Sequence, residues 1–281
     1  MRVRLCRDPA AFLSVADGFL QVDPFSTSVI GVVTRRCLSS GERPGSGGLW
    51  AVVEDDGGDC CGLAMHTPPH PLFLSRMPQV AAAALADALA DGGVTLAGVN
   101  GAAESTTAFA QAWARRTGRS STPVTAMRMY RLGLLTCPSR VSGRAGLARD
   151  PDDVDQVARW LAAFHDEAVP LHPTEDWLAF AQRRVAAGQV HLWHDHGRPV
   201  SLAAVSAPVA GVVRVGPVYT PGSLRRKGYG AAVTAAASAA VLAAGAEHVV
   251  LYADLANPTS NSIYQAIGYR PDHDAEERIL H

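Results

Sequence analysis

The sequence has few cysteines and almost no net charge, and each of these shortages excludes a class of protein. The cysteines are odd in number and two are adjacent, which suits neither a disulfide framework nor a zinc pair. They are Cys6, Cys37, Cys60, Cys61 and Cys137. The 25 Lys and Arg residues and the 26 Asp and Glu residues give a formal net charge of −1. This balance argues against a broad surface for nucleic acid or for an acidic membrane.

The sequence also lacks a long apolar run. The most apolar stretch, Ala231–Ala244, is too short and too rich in alanine to span a bilayer. Met1–Arg7 has no long apolar segment, so we expect no secretory signal and a soluble, cytoplasmic protein. Hydrophobic residues still make up 48% of the 281 residues, which is enough for the core of one large domain or of two smaller ones.

Hydrophobic periodicity and turn residues predict helices and strands along the whole chain. The predicted helices are Phe12–Leu20, Val80–Leu89, Thr106–Trp113, Pro151–Ala168, Trp177–Ala187, Gly228–Ala244 and Thr259–Ile267. The predicted strands are Leu49–Val53, Gly62–Met65, Leu72–Leu74, Val94–Val99, Thr125–Leu135, Arg144–Ala148, Val190–His194, Val200–Ala207, Val212–Tyr219 and His248–Asp254. Asp150 is a predicted N-cap of the helix that begins at Pro151.

The two halves of the chain repeat one order of predicted elements. In each half a strand follows a tight turn, at Gly62–Ala64 and at Ser201–Ala203, and strands and helices then alternate. The repeat indicates an internal duplication, although two unrelated small α/β segments could share this order. We predict domains at 1–135 and 147–281, joined by a linker at 136–146 that is rich in Ser, Gly and Arg.

The segment after the strand Val212–Tyr219 has the features of an anion site. A helix begins at Gly228, and the first N–H groups of a helix are unpaired and carry its positive dipole end. Gly228 and Gly230 let a ligand approach the backbone closely. Three cations precede the helix, at Arg225, Arg226 and Lys227. We call Arg225–Ala231 the phosphate cradle.

Three other interpretations of the cradle are a Rossmann site, a Walker loop and a simple helix cap. A Rossmann site needs glycines directly after the strand, whereas about eight residues lie between Tyr219 and Gly228, and Val233 stands in the third glycine position. A Walker loop fails because Lys227 stands where its second glycine is required. The remaining alternative is a basic loop that only caps a helix.

The order R-x-x-G-x-G in the cradle resembles the acyl-CoA-binding motif of the GNAT N-acetyltransferase superfamily. Farther along, Leu251–Tyr269 resembles the next strand and helix of that family, with an asparagine, an aromatic residue and a closing Gly-Tyr. Together the motifs cover roughly a fifth of the chain, at 212–270. The cradle departs from the commonest family form, which has Pro, Glu and Gly at the positions of Gly222, Ser223 and Arg226.

The resemblance implies an α/β (α+β) fold of two tandem GNAT-like domains, each with a mixed, mostly antiparallel central sheet flanked by helices. Residues 147–281 would form an acetyl-CoA-binding N-acetyltransferase domain. Residues 1–135 lack the cradle and would be a degenerate copy that shapes the acceptor site or an interface. The implied reaction is direct attack of a primary amine on acetyl-CoA in a ternary complex. The alternative is a non-catalytic module that binds or senses acyl-CoA.

The resemblance also implies roles for individual residues. The backbone of Val218 and Thr220 would bind the pantetheine arm as a partner strand would, and an N–H near Val218 would polarise the thioester carbonyl. Tyr264 would protonate the departing thiolate. Asn257 or Asn261 would bind the pantetheine arm or hold the turn. The full set predicted to bind acetyl-CoA is Val218, Tyr219, Thr220, Arg225, Arg226, Lys227, Gly228, Tyr229, Gly230, Ala231, Asn257 and Asn261.

The acceptor side is less marked in the sequence. Val212–Tyr219 carries no carboxylate, so we take Glu167, at the end of a predicted helix, as the candidate substrate residue or base. A solvated charge at a helix end is the alternative. His191 and His194 would face opposite sides of a strand, so we expect no metal. The expected partner is a small-molecule or protein amine, with no nucleic acid and no membrane, and a homodimer is kept open.

Overall fold

The computed structural model describes residues 1–40, 47–149, 151–168, 174 and 176–281. Asp150, the predicted N-cap, lies outside the described residues. The helices are α1 Pro9–Val22, α2 Ser28–Ser40, α3 Gln79–Asp91, α4 Ala103–Thr117, α5 Val154–Ala168, α6 Trp177–Ala186, α7 Tyr229–Ala243 and α8 Pro258–Ala266, with a 3₁₀ turn at Gly222–Leu224. The strands are β1 Arg2–Cys6, β2 Leu49–Glu54, β3 Cys60–His66, β4 Leu72–Leu74, β5 Gly98–Ala102, β6 Ser121–Leu132, β7 Arg144–Leu147, β8 Val190–Asp195, β9 Arg198–Val205, β10 Val212–Tyr219, β11 His248–Asp254 and β12 Tyr269–Leu280.

The described chain divides into two compact units. The N-terminal unit comprises Met1–Arg128, Asp254–Ala256 and His273–His281, and the C-terminal unit comprises Met129–Ala253 and Asn257–Asp272. The division falls within β6 and β12, so neither unit is one continuous stretch of sequence. The domain boundaries at 135 and 147 stay a prediction.

The N-terminal unit has a mixed sheet with helices on both faces. Its strands follow the order β1-β2-β3-β4-β5-β12, in which β4 and β5 are parallel and the other neighbours are antiparallel. Helices α3 and α4 pack on one face around Leu85 and Trp113. Helices α1 and α2 pack on the other face around Phe12 and Trp50.

The C-terminal unit repeats this plan, with the strand order β6-β11-β10-β9-β8-β7. Strands β10 and β11 are parallel, whereas β7, β8, β9 and β10 pair antiparallel in turn. Helix α7 packs against one face of the sheet, where Val213 and Val215 meet Val233. Helices α5 and α6 pack on the opposite face, around Leu161, Leu202 and Tyr219. The predicted α/β class, with two similar mixed sheets flanked by helices, is confirmed.

Three elements were not predicted and one was misplaced. Strands β1 and β12 and helix α2 were missed, and the strand expected at Val94–Val99 lies at β5 instead. The displacement has a physical reason. A Cβ on Gly98 would lie 2.7 Å from the carbonyl oxygen of Arg278, so this glycine permits a close backbone approach that strand propensity does not register.

No helix among the described residues is both long enough and apolar enough to cross a membrane.

Candidate functional site

The strands β10 and β11 separate part-way along their length. Their parallel pairing runs from Val212 and His248 to Arg214 and Val250, although β10 continues to Tyr219. On its other side β10 stays paired with β9 as far as Tyr219, after a register shift beyond Val215. The β11 side of β10 therefore has an open backbone edge beyond Arg214 within the described chain. We call this the strand opening.

The N-terminus of α7 follows the strand opening in the chain, as the cradle predicts. Gly228 is the N-cap and has a φ of +83°, a conformation that glycine adopts without strain. A Cβ at Gly228 would lie 2.8 Å from Cγ2 of Val141, so the chain itself also requires glycine here. The first intrahelical bond is donated by the Ala232 N–H to the Gly228 carbonyl. The N–H groups of 229–231 precede that bond, at the positive end of the helix.

Gly230 differs from Gly228 because nothing in the chain demands a glycine there. A Cβ on Gly230 would lie 3.5 Å from the Thr220 hydroxyl oxygen, which is ordinary van der Waals contact. Its backbone is helical. The absence of a side chain at Gly230 therefore leaves room for a ligand beside the first N–H groups of α7.

The three cations of the cradle do not behave alike. The Arg225 guanidinium contacts the Glu167 carboxylate, and its Nε donates to the Thr220 carbonyl at 2.8 Å. It also lies over the Tyr219 ring, 5.8 Å from the centroid. Arg226 and Lys227 are exposed. The structure therefore holds Arg225 against the end of α5, and leaves the two following cations facing solvent next to α7.

Arg226 has a positive φ of 65°. This is the position where the commonest form of the cradle motif has glycine, and the conformation explains that preference. The side chain at this position is exposed, so it adds charge beside the helix end without crowding the backbone N–H groups of α7.

Glu167 accepts two hydrogen bonds, from Arg225 and from the Tyr219 hydroxyl at 2.9 Å. The Arg225 bond is the main cause of a lowered pKa at Glu167. Burial, and then the bond to Glu167, raises the pKa of Tyr219. Glu167 is thus an ionised carboxylate at neutral pH with both oxygens engaged, which makes it a weak proton acceptor in this state.

Tyr264 lies half-buried on α8. Its ring meets Tyr269 edge-on at 6.2 Å, and it packs on the apolar cluster that Val218 and Ala231 also border. Burial raises the pKa of its hydroxyl to about 12. The hydroxyl is therefore protonated at neutral pH and can act as a donor. Within the described part of the chain, no group hydrogen-bonds it.

The two predicted asparagines already have partners in the fold. Asn257 caps α8, and its side-chain oxygen accepts from the Ser260 N–H at 3.0 Å. Asn261 accepts from the Tyr130 hydroxyl at 2.7 Å and donates to the Asn257 carbonyl at 2.7 Å. Both side chains hold the turn, which is the second of the two roles expected for them.

The remaining predicted residues take defined places. The Tyr229 ring is buried and its hydroxyl donates to Asp195 at 2.5 Å, so only its backbone faces the cradle. The Thr220 hydroxyl lies 2.8 Å from that of Ser201. His191 is buried, and burial lowers its pKa. The described residues contain no group of three or more His, Cys, Asp or Glu side chains arranged around a metal.

Comparison with known proteins agrees with this geometry. The model of a family described as FR47-like protein matches residues 198–279, a range that contains β10, the cradle and α8. No curated protein sequence matches the chain.

Solved structures extend the likeness to both units. A GCN5-related N-acetyltransferase from Sphaerobacter thermophilus is 18% identical, with a TM-score of 0.64 over 99% of this chain and 95% of that one. A GNAT-family acetyltransferase from Colwellia psychrerythraea is 10% identical, with a TM-score of 0.59 over 100% and 99%. A tandem GNAT protein from the clavulanic acid biosynthesis pathway is 15% identical, with a TM-score of 0.56 over 100% and 98%. At these identities the likeness establishes the tandem GNAT fold.

In the N-terminal unit, the parallel strands that correspond to β10 and β11 do not separate. Strand β4 pairs with β5 up to its last residue, Leu74, and a Cβ on the facing Gly101 would overlap the Leu74 carbonyl. In the following loop, the Arg76 N–H donates to the Ser26 hydroxyl at 3.0 Å, and its guanidinium lies 3.4 Å from Asp23. This loop is therefore bonded to the segment that connects α1 and α2, at the place in the order of elements where the C-terminal unit has the cradle.

Sequence reasoning missed one charged residue of the C-terminal unit. Arg214 lies at the point where β10 and β11 separate. The available signal was a single charge within the otherwise uncharged run Val212–Tyr219.

Proposed function

We propose that the chain is an acetyl-CoA-dependent N-acetyltransferase with one working site, in the C-terminal unit. The proposal is carried by the strand opening between β10 and β11 together with the glycine-capped N-terminus of α7 that follows it. An open strand edge binds an extended amide-containing chain, and a free helix N-terminus binds phosphate. Acetyl-CoA contains both, joined in that order.

The residues present fit this substrate. The diphosphate would accept hydrogen bonds from the N–H groups of Tyr229, Gly230 and Ala231, with Arg226 and Lys227 adding charge. Because the chain's own packing does not require Gly230 to be glycine, the space beside it is best explained by a bound ligand. The pantetheine arm would lie along the backbone of 218–220, whose β11 side is open.

The chemistry we propose is direct transfer. The amine nitrogen attacks the thioester carbonyl, a C–N bond forms, the C–S bond breaks and the sulfur leaves as a thiolate. The nitrogen becomes cationic on attack and loses a proton to solvent, which leaves a neutral amide. An N–H near Val218 would stabilise the oxyanion. Tyr264, kept protonated by burial, would donate a proton to the sulfur and regain one from solvent.

Glu167 has a different role in this proposal from that of a base. Its lowered pKa and its two hydrogen bonds suit a residue that positions Arg225 and Tyr219 at the end of β10. The amine would then enter as its free base, having lost its proton to solvent.

The test uses the full chain with acetyl-CoA and a panel of primary amines. Thiol release is followed with a thiol reagent and binding by calorimetry. We expect acetyl-CoA binding that Gly228→Asp abolishes, and amine-dependent release that Tyr264→Phe slows. Calorimetric binding without release for any amine, equal in wild type and Tyr264→Phe, would refute the enzyme and leave an acyl-CoA-binding module. Binding unaffected by Gly228→Asp would refute the cradle itself.

A further inference from the structure

Arg214 is a partly buried arginine of the C-terminal unit, and one nitrogen of its guanidinium has no hydrogen-bond partner. Its backbone is fixed, because its N–H donates to the Ser206 hydroxyl at 3.0 Å and its carbonyl accepts from the Ser206 N–H at 2.8 Å. Its Nη1 is buried and makes no hydrogen bond in the described structure. The backbone of Arg214 is therefore held in place, whereas Nη1 of its side chain lacks a hydrogen-bond partner.

A buried cation of this kind needs an anion. Arginine stays protonated in proteins even where burial lowers its pKa, as it does at Arg214. Burying part of such a charge without a hydrogen-bond partner or a counter-ion costs free energy. Across the described ranges, no carboxylate forms an ion pair with Arg214. An external oxyanion would supply what the chain does not.

The position of Arg214 indicates which substrate would carry that anion. Its neighbours Val213 and Val215 pack on α7, so the side chain of Arg214 lies on the opposite face of β10. That is the face of α5 and α6, where Tyr219 also packs. Arg184 of α6 reaches the same stretch of strand, with Nη2 lying 3.5 Å from the Gly216 carbonyl.

The two faces would serve the two substrates. On the α7 side, the helix N-terminus takes the diphosphate of the acyl donor. The pantetheine arm of the donor would then lie along the open edge of β10. This open edge begins at Arg214, where the pairing with β11 ends. An acceptor must approach the thioester from the remaining side, which is the face that bears the Arg214 side chain.

We propose that Arg214 is a specificity-determining residue that binds a carboxylate or similar oxyanion on the acceptor amine. The acceptor class is thus an amine with an acidic group, of the amino-acid type. This inference rests on the proposed function. A bidentate guanidinium–carboxylate pair would satisfy the buried charge and orient the amine at once.

The kinetic test compares matched acceptors with the full chain. The pairs are an α-amino acid against its amide, and phosphoethanolamine against ethanolamine. We expect wild type to have a kcat/KM about 10- to 100-fold higher for the acidic acceptor of one pair than for its neutral analogue. This is the range that hydrogen bonds to charged groups contribute. Arg214→Met should remove that preference by raising the KM of the acidic acceptor, with the KM of acetyl-CoA unchanged. Arg183→Met, which removes an exposed arginine on the same helix as Arg184, is the control and should keep the preference.

The same variants separate this inference from the alternatives. If Arg214→Met reacts equally well with the amino acid and its amide, the anion that Arg214 binds is a carboxylate. If it reacts equally well with phosphoethanolamine and ethanolamine, the anion is a phosphate. A preference that survives in Arg214→Met overturns the proposal. If a neutral amine reacts faster with succinyl-CoA than with acetyl-CoA, and only that difference is lost in Arg214→Met, the anion belongs to the acyl donor and the acceptor assignment is wrong.

Thermal unfolding tests the role of Arg214 without requiring turnover, so its result stands even if the proposed acetyltransferase activity is not found. Because Arg214→Met removes an unpaired buried charge, its Tm should equal or exceed that of wild type. Succinate, a dicarboxylate used as the probe because it is not the phosphate that the cradle would bind, should raise the Tm of wild type and leave that of Arg214→Met unmoved. A much lower Tm in Arg214→Met, or equal shifts in both proteins, would make Arg214 a structural residue and overturn the inference.

Discussion

Replacing Gly228 with alanine should destabilise the protein, because Gly228 caps α7 in a conformation that suits glycine. An L side chain at a φ of +83° costs about 1–2 kcal/mol. The new Cβ would also lie 2.8 Å from Cγ2 of Val141, so the valine has to move. We expect about 2 kcal/mol less unfolding free energy, which for a chain of this size lowers Tm by roughly 4–8 °C.

Acetyl-CoA binding should weaken in the same variant, since the cap sets the direction of the N–H groups in the first turn of α7. We expect a Kd at least about tenfold higher by calorimetry, the equivalent of one well-formed charge-assisted hydrogen bond. Gly222→Ala is the matched control in the same loop, because nothing lies within 4 Å of a Cβ built there. If Gly228→Ala matches Gly222→Ala in both Tm and Kd, the cradle does not depend on the glycine cap.

Three further predictions concern residues around the strand opening. Tyr264→Phe should lower kcat by about 100-fold or more and leave the Kd of acetyl-CoA nearly unchanged. Burial raises the pKa of the Tyr264 hydroxyl to about 12, so its titration should not appear in the pH–rate profile near neutrality. Asn261→Ala should cost about 1–3 kcal/mol in urea unfolding, since the buried Tyr130 hydroxyl loses its acceptor. Glu167 has a lowered pKa, mainly through Arg225, so its pairing adds stability above the unfolded pKa of about 4.3 and loses it as pH falls through the folded value. Both side chains are partly exposed, so wild type and Glu167→Gln should differ by at most about 1 kcal/mol at pH 7 and converge in acid.

The elements that sequence reasoning located are those with strong local signals. Strand β10 is an apolar run, and α7 is an alanine-rich helix between glycines, so pattern and turn residues agree. Strand β12 was missed because half of its residues are charged, and Glu277 is one of its buried residues. Such a strand owes its structure to antiparallel pairing with β5, which no local pattern records.

The candidate site likewise has a part that the sequence predicts and a part that depends on contacts between distant residues. The cradle is contiguous in sequence, so a motif could indicate it together with its helix end. The contact between Arg225 and Glu167 joins residues 58 positions apart, and nothing near either residue encodes it. The place where β10 leaves β11 is also invisible to periodicity, because Val212–Tyr219 reads as one uninterrupted strand although its pairing ends at Arg214.

Two parallel strand pairs among the described residues, β4 with β5 and β10 with β11, show what distinguishes a closed sheet from an opening. In the N-terminal unit β4 is short and stays paired with β5 to its end, where Gly101 allows the backbones to meet. In the C-terminal unit β10 runs on beyond its last partner, Val250, and a helix with a glycine cap follows. Both units place a helix after the strand, so a helix N-terminus alone does not make a site. In the proposed function the unpaired strand edge ahead of the helix makes the site, because only then would the amide chain and the phosphates of acetyl-CoA both find partners.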